Sequence, residues 1–438
     1  MSKSARQIAY EILLKIEVDK AFSNLAIDSA VKMYNPDSTD CAFISRLVYG
    51  VFERKITLDY VVSRHLSNPA KKMKPEVLTV LRMGTYQILF MDKVHSGAAV
   101  NESVKLVKAN KCGFAAGLVN AVLRKISQND LEIDGDLTET QKFSVDYSVP
   151  EELVKFMIHH YGKENAESFF KASLQPKEIT VRVNTLKTTA EKLKKLLRDE
   201  RVNVFDTYLP DALRIESDRA VYNLDCFKNG LFHVEDLSSQ LCVEALELFD
   251  GASAVDVCAA PGGKSFTAAE YMNNNGVLYS CDVYEQRTEL IKQGAQRLGI
   301  ENIVPLVNDA TVFNGNLPEA DRVLCDVPCS GLGIIGKKPE IKYKRLDDTK
   351  SLLPIQMQIL KTSSKYVKHG GRLVYSTCSV NPNENRRICD RFLEENPEFG
   401  SVKVLPRIER TVDEGDYLTL FPHKNNCDGF FIAAFVRK

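Results

Sequence analysis

The sequence predicts a multidomain fold: an all-helical amino-terminal domain, a small α+β module and a carboxyl-terminal α/β domain with a Rossmann-like sheet. Three observations predict it. Apolar residues recur at helical spacing through the first third of the chain, and a single alternating stretch, Ile179–Val183, follows. From Glu235 onward, short apolar runs alternate with helical segments, which is the order of a mostly parallel sheet. The predicted limits are 1–126 for the helical domain, 127–144 for a linker, 145–235 for the module and 236–438 for the last domain.

Composition indicates an ordinary globular protein of several domains. The chain has 438 residues, of which 44% are hydrophobic, and its 58 basic residues equal its 58 acidic ones. Eleven cysteines without a Cys-x-x-Cys pair argue against both a zinc site and a disulfide framework. No apolar stretch approaches the roughly 18 residues that cross a membrane, and no secretory signal opens the chain. We therefore expect a cytoplasmic protein with no metal and no membrane contact, and we also expect a monomer.

The first third predicts helices. Ser4 can cap the first helix, Thr39 or Asp40 can open another, and Pro75 suits the first position of a third. Two more are predicted at Val100–Val107 and Leu118–Ile126. Between Glu53 and Lys111, eleven basic residues exceed five acidic ones by six, an excess that either attracts phosphates or forms a solvated face.

The middle of the chain predicts a linker and a small module. Polar residues between 127 and 141 favour the linker. Two helices are expected after it, from Pro150 to near Gly162 and from Glu164 to Leu174. The strand Ile179–Val183 then precedes a lysine-rich helix at Ala190–Arg201, with short strands near 213–215 and 231–233. Contact between this module and nucleic acid is one reading, and a solvated lysine face is the other.

The last domain predicts alternating strands and helices. Strands are placed at Ala254–Cys258, Val277–Asp282, Ile303–Asn308, Arg322–Asp326 and Arg372–Ser376. Helices are placed between them at Ser265–Met272, Tyr284–Leu298, Gln356–Tyr366 and Asn383–Glu395. Two late apolar runs, Leu418–Phe421 and Phe430–Val436, can add antiparallel strands.

Several features predict a nucleotide-like cofactor at the carboxyl edge of this sheet. Gly262 and Gly263 follow the first strand and let backbone amides approach a ligand at a helix start. Gly-x-Gly-x-x-Gly is absent, which disfavours a pyrophosphate-binding dinucleotide fold. An acid at the end of the second strand can accept both ribose hydroxyls, and one at the end of the third can reach an adenine amino group. Any single strand-end acid is more often a turn cap, but four stand at successive strand ends: Asp256, Asp282, Asp309 and Asp326.

Two cysteines at neighbouring strand ends indicate covalent chemistry on a pyrimidine. Carbon 5 of cytosine becomes nucleophilic only when a thiolate adds at carbon 6, and a second group must later remove the carbon-5 proton. A carboxyl near ring nitrogen 3 would stabilise the charge that develops on addition. Cys378, Cys329 and Asp326 have the residue types for these three tasks. The residues alone leave open which cysteine attacks.

The chain resembles the Sun-type, or RsmB-type, bacterial ribosomal RNA (cytosine-5) methyltransferases over nearly its whole length. The motifs that carry the resemblance are Asp256-Val-Cys-Ala-Ala-Pro-Gly-Gly-Lys264, Asp326-Val-Pro-Cys-Ser-Gly331, Thr377-Cys378-Ser379 and Asp428-Gly-Phe-Phe431. The first third resembles the NusB-like RNA-binding domain through Arg46–Val51, Leu81–Gln87 and Gly117–Arg124. Glu340 and Tyr343 depart from the family, which often has aspartate and tryptophan in the loop after Cys329.

The resemblance implies an S-adenosylmethionine-dependent enzyme whose methyltransferase domain is of class I. It implies that Cys378 is the nucleophile and that Cys329 releases the product from a cytosine of 16S rRNA. The cofactor residues that it implies are Cys258, Ala259, Ala260, Pro261, Gly262, Gly263, Lys264, Asp282, Asp309 and Asp326. The NusB-like domain separates this ribosomal branch from relatives that modify transfer RNA.

Three alternatives stay open at this point. One is a cytosine-5 methyltransferase of transfer RNA. Another is a non-catalytic NusB-like RNA-binding or antitermination factor with a degenerate methyltransferase fold, which the presence of both cysteines disfavours. The third is a nicotinamide-dependent oxidoreductase, which the glycine pattern disfavours.

Overall fold

The computed structural model describes residues 3–19, 23–66, 73–128, 137–176 and 178–438. The chain forms two compact units. The first comprises residues 1–174 together with 335–344, and the second comprises 175–334 and 345–438. The domain limits predicted from the sequence stay predictions, because a compact unit need not coincide with a domain.

The regular structure of the first unit is all helical in its described residues, as the sequence predicts. The buried apolar residues between Ile8 and Ile126, among them Ile44, Leu47 and Leu81, form one core, because each helix there buries the stripe that recurs every three to four residues. The helices are α1 (Ala5–Asp19), α2 (Ser23–Tyr34), α3 (Ser38–Glu53), α4 (Lys55–Arg64), α5 (Pro75–Phe90), α6 (Ser96–Ala109), α7 (Ala116–Ile126), α8 (Glu139–Tyr147), α9 (Glu151–Tyr161) and α10 (Lys163–Ser173).

Of the three helix starts predicted by a capping residue or proline in the first third of the chain, one is wrong. The Ser4 hydroxyl accepts from Gln7 N at 3.3 Å at the start of α1, and Pro75 is the first residue of α5. The prediction that Thr39 or Asp40 opens α3 is wrong. Asp37 is the cap, and its carboxylate accepts from Asp40 N at 2.8 Å. Thr39 and Asp40 lie one and two residues inside the helix, where a second acid favours the same helix start.

The segment predicted as a linker, 127–144, ends inside a helix. Thr138 caps α8 through a capping box with Gln141, so the polar residues there signal a helix start rather than an open loop. Residues 129–136 lie outside the described residues. The side chain of Thr57 donates to Val145 O at 2.6 Å, which ties α8 to α4.

The second unit begins with a small antiparallel sheet in the order β2-β3-β1-β4. Val181 and Val183 of β1 and Leu193 and Leu197 of the predicted lysine-rich helix form its core. The elements are β1 (Ile179–Val183), α11 (Ala190–Asp199), β2 (Asn203–Asp206), β3 (Ala212–Glu216), α12 (Asp225–Lys228) and β4 (Phe232–Val234). The sequence did not predict β2.

The remainder of the second unit is built on an eight-stranded sheet. Its elements are α13 (Leu237–Glu244), β5 (Ser253–Asp256), α14 (Gly263–Tyr271), β6 (Val277–Asp282), α15 (Glu285–Leu298), β7 (Ile303–Val307), β8 (Ala320–Asp326), α16 (Leu352–Ser364), β9 (Val367–Thr377), α17 (Arg386–Glu395), β10 (Phe399–Val402), β11 (Leu418–Leu420), α18 (Pro422–Asn425) and β12 (Phe430–Arg437).

The strand order β10-β12-β9-β8-β5-β6-β7 confirms a mostly parallel sheet. Strands β5 to β9 are parallel, so their carboxyl ends share one edge. The order reverses beside β5, where ligands bind in open α/β sheets. The two late apolar runs pair antiparallel as predicted, β11 with β12 and β12 with β9. The apolar residues of the sheet and its helices form two clusters, one containing Leu278 and Ile432 and the other Val323 and Phe435.

Candidate active site

The two cysteines singled out by the sequence lie in contact beyond the ends of β8 and β9. Asp326 pairs with Ser376 in the parallel register, and Cys329 and Cys378 follow this pair by three and two residues. Their sulfur atoms are 3.1 Å apart. The hydrogen bond between the thiols and the burial of Cys329 raise the pKa of the Cys329 thiol well above its ordinary value. The Cys329 thiol is therefore favoured in its neutral form.

A buried carboxylate that the sequence did not predict joins the loops of both cysteines. Glu384 is fully buried between β9 and α17. Its Oε1 accepts from Ser330 N at 2.7 Å, and its Oε2 accepts from the hydroxyl groups of Ser330 and Ser379. Gln356 of α16 donates to Oε1 at 3.0 Å and to Pro328 O at 2.9 Å. Since Ser330 and Ser379 each directly follow a cysteine, Glu384 fixes the separation of the thiols.

Two glycines bring three loops to backbone contact around the thiol pair. Gly333 N donates to Cys378 O at 3.0 Å, and Gly429 N donates to Gly333 O at 3.0 Å. A Cβ at Gly333 would lie 1.8 Å from Gly429 O, so no other residue fits there without a shift of the backbone. Close packing of the backbone against Gly333 thus explains the glycine of the Asp-Gly-Phe-Phe motif, Gly429.

Asp326 lies at the end of β8 in an ion pair. Its Oδ2 is 2.9 Å from Lys264 Nζ, and its Oδ1 accepts from the Ser376 hydroxyl at 2.7 Å. Burial alone would lower the pKa of Lys264, but the Asp326 carboxylate and other nearby acids outweigh it and raise that pKa. Lys264 also lies over the Phe430 ring, 5.3 Å from its centroid. The site therefore has a firmly held cation beside the thiol loops.

The glycine-rich turn runs from β5 into α14. Ala259 N donates to Cys281 O at 2.7 Å, and Gly262 N donates to Ala259 O at 2.8 Å, which closes the turn. Gly262 has φ +113°, and a Cβ there would meet the Phe266 ring at 2.4 Å, so the turn requires glycine. The turn comprises residues 258–264, and the peptide bond before Pro261 is cis.

Cys258 opens that turn as a third thiol near the edge. Burial raises the pKa of Cys258 well above its ordinary value. A thiol held in its neutral form is a poor nucleophile, and this applies to Cys258 as it does to Cys329.

The other strand-end aspartates occupy three different environments. Asp256 is buried, and its Oδ2 accepts from the Ser265 hydroxyl at 2.7 Å. Asp282 is also buried and lies 3.2 Å from Arg287 Nη1. Asp309 is exposed and accepts from Thr311 N at 2.9 Å, which is the bond of a turn cap. The structure thus brings the acids to one sheet edge but gives each a different partner.

The described residues contain neither a metal-binding cluster nor a membrane span. No group of three or more His, Cys, Asp or Glu side chains in the described ranges could hold a metal ion. No helix in the part of the chain that the structure describes has the length and apolar character needed to cross a membrane.

The sheet order, the glycine turn after β5 and the acids on the next strand ends define a class I methyltransferase domain. Comparison with models of known protein families agrees with this assignment. A family model for the 16S rRNA methyltransferase RsmB/F matches residues 243–436, one for the NusB family matches 3–128, and one for the ferredoxin-like domain of RsmF/B-like methyltransferases matches 149–222.

Relatives match the chain from end to end. The probable ribosomal RNA small subunit methyltransferase B of Bacillus subtilis (strain 168) is 35% identical over 444 residues, with 99% of each chain covered. That of Synechocystis sp. (strain PCC 6803) is 34% identical, with 98% of each chain covered. The crystal structure of PH0851 is similar with a TM-score of 0.82 at 26% identity, covering 99% of each chain. The chain belongs to the RsmB/F family of 16S rRNA methyltransferases, with the NusB and ferredoxin-like domains of that family.

Proposed function

We propose that this protein transfers a methyl group from S-adenosylmethionine to carbon 5 of a cytosine in 16S rRNA through a covalent Cys378 adduct. The observation that carries the proposal is the contact between the Cys378 and Cys329 sulfur atoms, 3.1 Å apart at neighbouring strand ends. Attack at carbon 6 and proton removal at carbon 5 concern adjacent ring atoms, so the two groups that perform them must themselves be neighbours. The protein is proposed to act as a monomer in the cytoplasm.

The residues at the sheet edge fit a nucleoside with a charged amino-acid tail. Asn308, at the end of β7, is buried, and its Nδ2 has no hydrogen-bond partner among the described residues, which suits an acceptor on a base. The Asp282 carboxylate suits ribose hydroxyls, and the neighbouring Asp309 carboxylate suits an adenine amino group. We propose that these residues, the turn at 258–264 and Asp326 hold S-adenosylmethionine, which when bound supplies an electrophilic methyl group.

Cys378 begins the reaction. Its thiol first gives its proton to water, the sulfur then forms a bond to carbon 6 of cytosine, and the electron pair of the C5–C6 double bond moves towards ring nitrogen 3. The positive charge of Lys264, held in place by Asp326, can stabilise the negative charge that develops on this nitrogen. Carbon 5 is now an enamine carbon, and it forms the new bond to the methyl group while the donor sulfur leaves with the bonding electrons.

Cys329 completes the reaction. Its raised pKa means that the thiol must first pass its proton to water, and the resulting thiolate is a strong base. It takes the proton from carbon 5, the double bond forms again, and the electron pair of the C6–sulfur bond returns to Cys378. Cys329 ends with the carbon-5 proton, and Cys378 regains a proton from water.

Variants of the two cysteines should fail in different ways. Cys378→Ala cannot enter the adduct and should leave 16S rRNA unmodified and free. Cys329→Ala can enter it and transfer methyl but cannot leave it, so a covalent protein–RNA species should accumulate. Denaturing gels after incubation with transcript and S-adenosylmethionine detect that species. Cys41→Ala, a thiol on α3, is the control and should methylate normally.

The contrary results are specific. An adduct that accumulates with Cys378→Ala instead would reverse the roles. Methylation by both variants would exclude covalent catalysis by these thiols. Modification of transfer RNA but not of 16S rRNA by the unaltered enzyme would change the substrate, and the absence of both would favour the non-catalytic alternative.

A further inference from the structure

An exposed apolar stripe lies on the first unit, at the turn between α6 and α7. Phe114 is 72% exposed and Leu118, one helical turn later, is 42% exposed. Ala121 continues the stripe, and the site of a Cβ at Gly117 is open space. We call Phe114, Gly117, Leu118 and Ala121 the α7 stripe.

The α7 stripe is separate from the apolar face that this helix buries in the core. Val119, Val122, Leu123 and Ile126 of the same helix are buried and belong to the core of the unit. The helix therefore already buries a complete apolar face, and the stripe is a second apolar face that points to solvent. A large exposed aromatic side chain beside further apolar residues indicates a binding surface.

Cations surround the aromatic end of the stripe. Lys74 Nζ lies over the Phe114 ring, 5.3 Å from its centroid. The Cα atom of Lys108 is 4.0 Å from the site of a Cβ at Gly113, the residue before Phe114. Lys111 and Arg124 are exposed on either side in the sequence. From residue 103 to residue 128 the chain contains basic residues but no aspartate or glutamate.

We infer that the α7 stripe and its cations bind a single-stranded segment of RNA, with a base stacked on Phe114. Every base has a π face that can stack on an aromatic ring, and flanking lysines can follow the phosphates. A protein partner with an acidic apolar surface is the other chemistry that a basic apolar stripe could meet. RNA is favoured because the cations gather around an exposed ring, which is the arrangement that single-stranded nucleic acid uses. The inference rests on the proposed function and specifies where its substrate is held.

The test measures RNA affinity with the full-length protein and a 16S rRNA transcript. Phe114→Ala should weaken binding roughly 5- to 150-fold, the range for loss of one stacked base. Phe114→Tyr keeps the ring and should bind like the unaltered protein, whereas Phe114→Leu keeps only apolar area and should bind like the alanine variant. The double variant Lys108→Ala, Lys111→Ala should flatten the salt dependence by about 0.7 in log–log slope for each phosphate that the protein no longer neutralises.

The matched control is Phe249→Ala in the second unit. Phe249 is also exposed, and Arg322 lies over its ring at 5.1 Å, so the two phenylalanines differ in location but not in kind. Its removal should leave RNA affinity unchanged.

Two results would overturn the inference. One is an unaltered RNA affinity in Phe114→Ala. This includes the case in which that variant instead no longer binds a ribosomal protein or no longer self-associates. The other is a Phe114→Leu variant that binds RNA as well as the unaltered protein, since stacking would then be unused. Neither result bears on the trapped adduct of Cys329→Ala, so failure of the binding surface and failure of the proposed function can be told apart.

Discussion

At the scale of single residues, the sequence predicts where the strand-end aspartates lie but not which groups surround them. Four aspartates were found from the sequence because each ends an apolar run, and strand periodicity is a local signal. Their partners are not local. The Ser265 hydroxyl that binds Asp256 comes from α14, and Arg287, beside Asp282, comes from α15. The sequence therefore predicted which edge the acids share but not which of them is buried.

Asp256 should make the stability of the protein depend on pH near neutrality. Burial raises the pKa of Asp256 to about 7, far above that of an unfolded aspartate. A raised folded-state pKa means that its contribution to stability is fully present below about pH 4 and is lost as pH rises through 7. Relative to Asp256→Asn, the unaltered protein should thus lose up to about 4 kcal/mol between pH 4 and pH 8. Thermal unfolding of both proteins across that range measures the difference.

Asp309→Asn is the control for the pH experiment. Hydrogen bonds from Thr311 lower the pKa of Asp309, so its stabilising contribution is present above about pH 4 and is lost only on further acidification. Its variant should follow the unaltered protein from pH 5 to pH 8. A constant stability difference between Asp256→Asn and the unaltered protein across that window would show that Asp256 does not titrate there.

At the scale of elements, the motifs located the cysteine loops, but the group that joins them escaped the sequence. The sequence predicts a helix at Asn383–Glu395, in which Glu384 would be an ordinary polar residue at the helix start. The helix begins only at Arg386, and Glu384 belongs to the buried loop before it. Its donors lie on β8 and β9 loops about 50 residues apart in sequence, on Ser330 and Ser379. No pattern of neighbouring residues reports such a contact.

Glu384 should position the thiols rather than bind the methyl donor. Glu384→Ala removes the acceptor shared by both cysteine loops, and a displacement of about 1 Å at reacting groups can lower a rate roughly 100-fold. We expect a fall in kcat of about that size with calorimetric affinity for S-adenosylmethionine nearly unchanged. Glu384→Gln keeps an oxygen that can accept from Ser330 N and should recover part of the rate. Single-turnover methylation separates these steps.

Glu394→Ala supplies the comparison, since Glu394 is an exposed glutamate on α17 and should leave kcat unaltered. If Glu384→Ala lowers kcat and thermal stability together, and Glu384→Gln recovers neither, the carboxylate serves the fold alone.

At the scale of the whole molecule, the chain order and the compact units do not coincide. The sequence predicts a last domain at 236–438, and within that range residues 335–344 belong to the compact unit of the helices. Within that unit Lys342 Nζ donates to Glu53 O at 2.9 Å, and the Tyr343 hydroxyl donates to Phe52 O at 2.7 Å. Glu53 is the last residue of α3, whose final carbonyls lack partners in the helix itself. The helix end and its donors are 289 and 291 residues apart in the sequence, so periodicity could predict α3 but not its cap.

Lys342 should stabilise the end of α3 from this distance. It is buried, and an ammonium at a helix carboxyl end both donates to the last carbonyls and favours the helix dipole. Lys342→Met keeps the apolar stem but leaves those carbonyls without this donor, at a cost of about 1–3 kcal/mol. Because a chain with two compact units need not unfold in one transition, hydrogen exchange read peptide by peptide is the suitable measurement. Amide hydrogen exchange over residues 46–58 should be faster in Lys342→Met than in the unaltered protein. The control is Lys338→Ala, which removes an exposed lysine of the same segment and should leave that exchange unaltered. Equal exchange in the two variants would mean that α3 ends without help from residues 335–344.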